Sequence, residues 1–451
     1  MLRILHFSDA HIDIANRGRR DPETGLPLRI LDFLKALDYI IDTAIAERVD
    51  LVLFAGDAYK DRSPAPTFQR EWDRRIVRLS QAGIPTVLLV GNHDLSPATG
   101  RAHAMQEFDT LAIPHVHVIG RPTLLKPQDL GGLPLQVLAL PWVSRSSFMA
   151  NQELSGTNMA EIYQQLEQRI HDLLQTWLDE ADPELPVVLT AHTSVQGAMY
   201  GGERSVMLGN DIVLPGSLVK NPRFDYVALG HIHKAQNLNE GSHPPVIYPG
   251  SIERVDFGEA RDEKYFVIAE IERGKTRVEW RLIPGRRFID CTIRLTQLSG
   301  LETENQPAVV GDWTNPNGNE HDQTEQALPS PEALLARLIA GLPDGEEMQK
   351  AIVRLTVEYP RAWDSLIDEA AIRRHTDAAF EFHLIRRPQM QSRMRIPGDQ
   401  TLSSLTPMDL LEQYWQTIQA DPAEAKEINR LAQEIITTVS QPAGPNELKE
   451  E

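Results

Sequence analysis

The 451-residue chain contains a single cysteine, Cys291. A disulfide framework needs pairs of cysteines and a thiolate zinc site needs several, so both are excluded. This cysteine usage fits a reducing compartment, and a cytoplasmic location is the expectation. Long apolar runs are also missing. None approaches the roughly 20 residues that cross a bilayer, so no membrane association is expected. The opening residues, Met1 to Asp9, turn polar too early for a secretory signal. There is no G-x-x-x-x-G-K-[ST] phosphate loop, so any ATP hydrolysis must belong to a partner. Positive charge is short as well: 45 Lys+Arg stand against 64 Asp+Glu, net −19. That balance opposes non-specific nucleic-acid binding by the isolated chain, but leaves room for local basic loops or metal ions facing phosphate.

Hydrophobic residues make up 41% of the chain, which is enough for a real core, and the length suggests two to four domains. Apolar runs at 2–7, 49–55, 84–90, 135–140, 185–190, 224–229 and 245–248 alternate with helical patterns at 30–47, 67–82 and 159–180. Such near-continuous apolar strands need both sheet faces covered, which predicts a layered α/β domain. A hairpin through 264–283 closes it, giving a first domain over 1–285. A smaller α+β unit follows at 286–390, interrupted by a polar, aperiodic insertion at about 299–331 that reads as mobile. A linker spans 391–403, a helical region 404–440 and a disordered tail 441–451. In the helical region Met408, Leu411, Trp415 and Ile418 form one apolar stripe, and Ile428, Leu431 and Ile435 a second.

The chemistry concentrates where apolar strands stop. Ser8-Asp9-Ala10-His11 ends one strand, Gly56-Asp57 another and Gly91-Asn92-His93-Asp94 a third. Ala191-His192 and Gly230-His231-Ile232-His233 end two more. In layered α/β folds that edge is where ligands bind. Asp, His and Asn without cysteine form a mixed oxygen and imidazole donor set that suits Mn²⁺, Fe²⁺ or Zn²⁺. Asp9, His11, Asp57, Asn92, His192, His231 and His233 are too many ligands for one ion and suit two sharing a carboxylate, an arrangement used in phosphoryl transfer. Taken singly, Asp57 reads as a turn residue and His192 as a core histidine; their order along the chain argues otherwise.

D-x-H, G-D, G-N-H-D, a lone His and G-H-x-H in this order resemble the calcineurin-like metallophosphoesterases. The stretch "YPGSIERVDFGEARDEKYFVIAEI" at 248–271 is similar to the SbcD-type DNA nuclease subunits, the bacterial counterparts of the double-strand-break repair nuclease. This resemblance implies a sandwich of two mixed sheets flanked by helices, a small cap domain and C-terminal helices that dock an ATPase. It implies two divalent ions, most often Mn²⁺. One would be held by Asp9, His11 and His233 and the other by Asn92, His192 and His231, with Asp57 bridging. His93 would serve catalysis, oriented by Asp94. Lys60 stands where archaeal counterparts carry a histidine facing the scissile phosphate, which leaves the balance of exonuclease and endonuclease action open. The implied partners are DNA, an SbcC-type coiled-coil ABC ATPase bound through the two C-terminal stripes, and a second copy of the nuclease domain.

For DNA contact, the loop residues Arg17, Arg19 and Arg20 together with Lys60 are the candidates, while Arg70, Arg74 and Arg78 read as a solvated helix face. Phe68 and Trp72 suit either core packing or an interface. Two alternatives to a DNA nuclease are a phosphodiesterase for small molecules or other phosphoesters and a non-catalytic DNA-end scaffold.

Overall fold

The computed structural model describes residues 1–14, 18–96, 102–142, 159–201, 212–295 and 329–389, with 408, 411, 415, 426 and 428–433. The chain divides into two compact units. The first comprises Met1–Cys291, Leu342–Leu355 and Arg373–His383, and the second Thr292–Gly341, Thr356–Ile372 and Leu384–Glu451. Residues 286–291, Leu342–Leu355 and Arg373–His383 of the expected 286–390 unit therefore group with the first. Nearly all of the 299–331 insertion, the 391–403 linker and the 441–451 tail lie outside the described residues.

In the first unit, strands β1 (Leu2–Phe7), β2 (Leu51–Phe54), β3 (Thr86–Leu89) and β4 (Val116–Ile119) come first, followed by β5 (Thr123–Leu125), β6 (Gln136–Leu140) and β7 (Val187–His192). Two-residue strands β8 (Ser194–Val195) and β9 (Val213–Leu214) precede β10 (Tyr226–Gly230), β11 (Gln236–Asn237) and β12 (Val246–Tyr248). The hairpin β13 (Tyr265–Glu272) and β14 (Lys275–Leu282) completes the set. One six-stranded sheet has the order β14-β13-β1-β2-β3-β4 and a second β11-β12-β10-β7-β6-β5. Both are mixed: β1 is parallel to β2 but antiparallel to β13, and β6 is parallel to β7 but antiparallel to β5. Strands β15 (Phe288–Arg294), β16 (Ile352–Pro360) and β17 (Glu381–Gln389) form a three-stranded sheet.

Side-chain alternation explains the layering. Ile4, Leu53, Val87 and Leu89 from the first sheet share a buried cluster with Val137, Val188, Ala228 and Ile247 from the second, which is the sandwich interior. The alternate residues Leu5, Phe7, Val52 and Phe54 face helices α1 (Leu28–Ala46) and α2 (Pro66–Gln81) through Ile30, Phe33, Leu37, Ile76 and Leu79. Leu138, Leu189, Val227 and Leu229 do the same against Ile170 and Leu174 of α3 (Met159–Glu180). Each such buried side chain contributes about 1.5–3 kcal/mol, so three apolar layers can carry considerable local strain at the strand ends.

Two sequence ambiguities resolve as packing. Trp72 is fully buried against Phe54 and Tyr59, and Phe68 packs on the same core. Arg70 and Arg74 pair with Glu71 on their own helix, while Arg75 and Arg78 reach Asp38 of α1. His6 points into the sandwich interior, its Nδ1 2.9 Å from Tyr226 Oη, and burial pushes it down to about 3. It is a neutral core hydrogen-bonding group. No helix among the described residues is long and apolar enough to cross a membrane.

Asp73, on the same helix, gives a pH prediction. Burial, then the Glu107 carboxyl beside it, pushes Asp73 up to about 7. Its ordinary value is about 3.9, so the folded state holds the extra proton between these limits and stability falls as pH rises from 4 to 7. Because Asp73 is only half-buried, solvent screening reduces the effect to about 1 kcal/mol. Asp73→Asn should raise the melting temperature at pH 8 and leave it unchanged at pH 4.

Candidate metal centre

The five turns lie at carboxyl ends of β1, β2, β3, β7 and β10, and they are strained. Asp9, His11, Asp57 and His231 adopt φ of 52°, 39°, 64° and 97°, the left-handed region that costs a non-glycine residue about 1–3 kcal/mol. Buried hydrogen bonds hold them there. The Asp9 amide donates to Gly56 O at 2.9 Å and the Ala10 amide to Asp57 O at 2.8 Å. Asp13 accepts from the amides of Lys60 (2.5 Å) and Asp61 (3.1 Å), fixing the loop after Asp57. Gly91 and Gly230 allow close approach: a Cβ would stand 2.1 Å from Asp57 Oδ1 at the first and 2.1 Å from Ala55 O at the second.

Two buried triads result, Asp9–His11–His233 and Asp57–His192–His231, with the ligand atoms of each within 4.8 Å of one another. Asp57 joins them. Its Oδ2 is 3.4 Å from His192 Nε2 and 3.8 Å from His11 Nε2, while Oδ1 accepts the His93 amide at 2.9 Å. Asn92 Oδ1 completes the second group, 2.9 Å from His192 Nε2 and 3.1 Å from His231 Nδ1. Asp9 accepts from Ser8 Oγ at 2.6 Å and from the His231 amide at 3.1 Å.

The donor geometry fits cations. His11 Nδ1 lies 3.1 Å from Tyr59 O, His192 Nδ1 2.7 Å from Ala55 O and His233 Nδ1 2.7 Å from Glu259 Oε1. These oxygens only accept, so each Nδ1 carries the hydrogen and each Nε2 presents a lone pair. Yet His11 Nε2 and His233 Nε2 stand 3.1 Å apart, two acceptors face to face. A positive charge between them removes the conflict, and a mixed imidazole and carboxylate set of this kind suits a divalent transition ion. The protonation pattern points the same way. Burial alone would lower His192, but the Asp57 charge and hydrogen bond hold it up at about 9, so a proton competes with a cation for the Nε2 lone pair that faces Asp57. Burial alone would raise Asp57, but His192 holds its carboxyl well below the ordinary range.

His93 lies beside the first triad, its ring edge-on to His11 with centroids 5.3 Å apart. The expected partner does not orient it. His93 Nδ1 bonds Lys60 O at 2.8 Å, whereas Asp94 accepts the amides of Asp57 (2.8 Å), Ala58 (2.9 Å) and Gly91 (2.9 Å). Asp94 thus clamps the Asp57 and Gly91 turns together, because a fully buried carboxylate is best satisfied by converging backbone amides. Burial lowers the His93 imidazole.

Of the basic candidates, Lys60 is exposed, its backbone held by Asp13 and His93. Arg19 donates to Phe380 O and stacks over that ring, and Arg20 donates to Gly25 O at 2.8 Å. Arg17 lies outside the described residues, as do Ile418 and Ile435 of the C-terminal stripes. Met408, Leu411 and Trp415 are half-buried, and Trp415 Nε1 donates to Asn429 Oδ1 at 2.8 Å. Ile428 and Leu431 are 43% and 45% exposed.

Three residues near the ligands carry no signal in the sequence. Trp142 lies against His231 with ring centroids 4.9 Å apart. Glu259 and Lys264 sit behind His233, 2.7 Å from each other. Burial would raise Glu259, but hydrogen bonds from His233 and Lys264 hold it well below the ordinary range. Glu259 and Lys264 fall within the 248–271 stretch, but nothing in their spacing marks them as neighbours of a histidine.

The SbcD subunit of the nuclease SbcCD from Escherichia coli (strain K12) is 29% identical over 285 residues, 61% of this chain and 66% of its own length. The DNA double-strand break repair protein Mre11 of Archaeoglobus fulgidus is 24% identical over 316 residues, 67% of this chain and 63% of its own. The matches thus span slightly less than two thirds of these relatives. Among solved structures, a dimetal phosphatase from Danio rerio aligns over 61% of this chain and 98% of its own at a TM-score of 0.35 and 13% identity. The calcineurin-like phosphoesterase model matches residues 2–235, just over half the chain and every turn that supplies a candidate ligand, and the chain belongs to that family.

Proposed function

We propose that this metallophosphoesterase is a DNA nuclease with two Mn²⁺ ions, acting with an SbcC-type ATPase in DNA end processing. The observation that carries the reading is the Asp57 carboxylate set between two imidazole-rich triads, with His93 open beside them. It is supported by relatives that are themselves named for nuclease action and double-strand break repair. A pair of divalent ions at such a centre supplies Lewis acidity to the scissile phosphate and to the attacking water.

The chain's own residues do the positioning. Asp9, His11 and His233 would hold one ion and Asn92, His192 and His231 the other, with Asp57 shared. The Nδ1 hydrogen bonds to Tyr59, Ala55 and Glu259 keep Nε2 lone pairs facing inward. His93 Nδ1 donates to Lys60 O, so its Nε2 is the atom available to the phosphate or leaving oxygen. The exposed Lys60 ammonium adds a point charge for the phosphate backbone, and Arg17, Arg19 and Arg20 extend that surface. The stripes at 408–418 and 428–435 would dock the ATPase as helices in a groove, and a second nuclease copy would complete the assembly.

Mn²⁺-loaded protein with its ATPase should degrade linear duplex DNA. His93→Ala should keep both ions and lose about 10²- to 10⁴-fold in rate. Intact DNA with the wild-type complex defeats the reading. One observation favours a small-phosphodiester substrate instead: Arg19 and Arg20 already serve backbone carbonyls. Rapid turnover of bis-p-nitrophenyl phosphate without any DNA cleavage is the result that reading requires. Bound metal with no hydrolysis of either substrate would indicate a scaffold.

A further inference from the structure

Behind the metal-facing edge of His233 lies a buried ion pair, of which the mechanism above uses only the hydrogen bond from His233 Nδ1. Glu259 and Lys264 are each 2% exposed. Lys264 Nζ is 2.7 Å from Glu259 Oε2, donates to Ser251 Oγ at 2.8 Å and reaches His233 O at 3.3 Å. Glu259 Oε2 also accepts the Val255 amide at 3.0 Å, and its Oε1 meets His233 Nδ1 at 2.7 Å. The same segment is tied to the other ligands of that triad: Ser251 bridges to Ser8, and the Ile252 amide donates to Asp9 O at 3.4 Å.

On stability grounds alone this pair is poorly motivated, because a buried ion pair often does no better than apolar residues of the same volume. Its placement supplies another reason. His11 and His192 rest their Nδ1 groups on neutral carbonyls, whereas His233 rests on a carboxylate. A carboxylate behind an imidazole fixes the tautomer, locks the ring pose and makes the opposite nitrogen a stronger donor. Lys264 keeps that carboxylate in place in a site otherwise hostile to an isolated anion. We infer that Glu259, held by Lys264, is a positioning residue that acts through His233 to strengthen metal binding selectively in the Asp9–His11–His233 half of the centre. This rests on the two-metal reading but not on the identity of the substrate.

Calorimetric titration with Mn²⁺ tests the inference. Glu259→Gln keeps the shape and removes the charge. One of the two equivalents should bind about 10- to 100-fold more weakly and the other should be unchanged. At saturating Mn²⁺ the hydrolysis rate should return to near wild type, with only its Mn²⁺ dependence shifted. Because Glu259→Gln leaves Lys264 buried without its counter-charge, a second variant, Glu259→Gln with Lys264→Met, keeps the test decisive if the first does not fold. It should show the same loss at one site. Wild-type affinity at both sites in a folded variant, equal weakening at both, or a rate deficit that persists at saturation would each overturn the inference. Wild-type protein that binds two Mn²⁺ yet leaves DNA intact defeats only the nuclease reading, and wild-type protein that binds none defeats both.

Discussion

Asp57→Asn should yield a folded protein that binds fewer than two Mn²⁺ and hydrolyses phosphodiesters about 10³-fold more slowly or worse. The magnitude follows from the several kcal/mol that a two-ion clamp supplies, at about 1.4 kcal/mol per factor of ten. One Asp57 oxygen approaches imidazoles of both triads, at 3.4 and 3.8 Å. An amide there still accepts the His93 hydrogen bond, so the turn survives, but the shared charge is gone. Metal stoichiometry measured beside the rate separates this from general damage. Two equivalents bound with wild-type turnover would mean the two groups do not share Asp57.

Gly91→Ala should cost both stability and metal. Its Cβ would sit 2.1 Å from Asp57 Oδ1 and 2.5 Å from the Asp57 amide nitrogen. Neither can yield cheaply, because Oδ1 is held by the His93 amide and the Asp57 amide by Asp94. Overpacking of this kind costs about 1–3 kcal/mol, read as a lower denaturant midpoint, and displacing Asp57 should remove metal from both triads together. Gly83→Ala is the control. Its φ is +71° with nothing within 4 Å of the added carbon, so it should lose about 1 kcal/mol through backbone strain and keep both ions. Normal metal uptake by Gly91→Ala would show that Asp57 has freedom to move.

The contrast between ligands and supporting residues explains how much is legible in the sequence. The seven candidate ligands can be read because each follows an apolar run, and the parallel pairing within each sheet puts those ends at the same edge. β1, β6 and the β13–β14 hairpin can be read because both sheet faces are buried or the turn is marked. β4 and β5 cannot: Val116–Ile119 and Thr123–Leu125 are too short for a periodic signal and are recruited by their neighbours. Asp94 reads as a partner for His93 because it is adjacent in sequence. Its carboxylate instead turns back toward the Gly91 and Asp57 amides, a choice set by where two separate turns meet. Glu259 is invisible for a related reason, since the separation of 26 positions between it and His233 closes only when Ser251 and Ile252 dock on the β1 turn.

Lys60 shows what such support makes possible. Its amide is fastened by Asp13 and its carbonyl by His93, so the main chain at this position is moored on both sides while the side chain extends into solvent. Position 60 therefore behaves as an interchangeable fitting at the mouth of the centre. A different group can be mounted there, cationic or aromatic, and the candidate metal cage does not have to be redrawn.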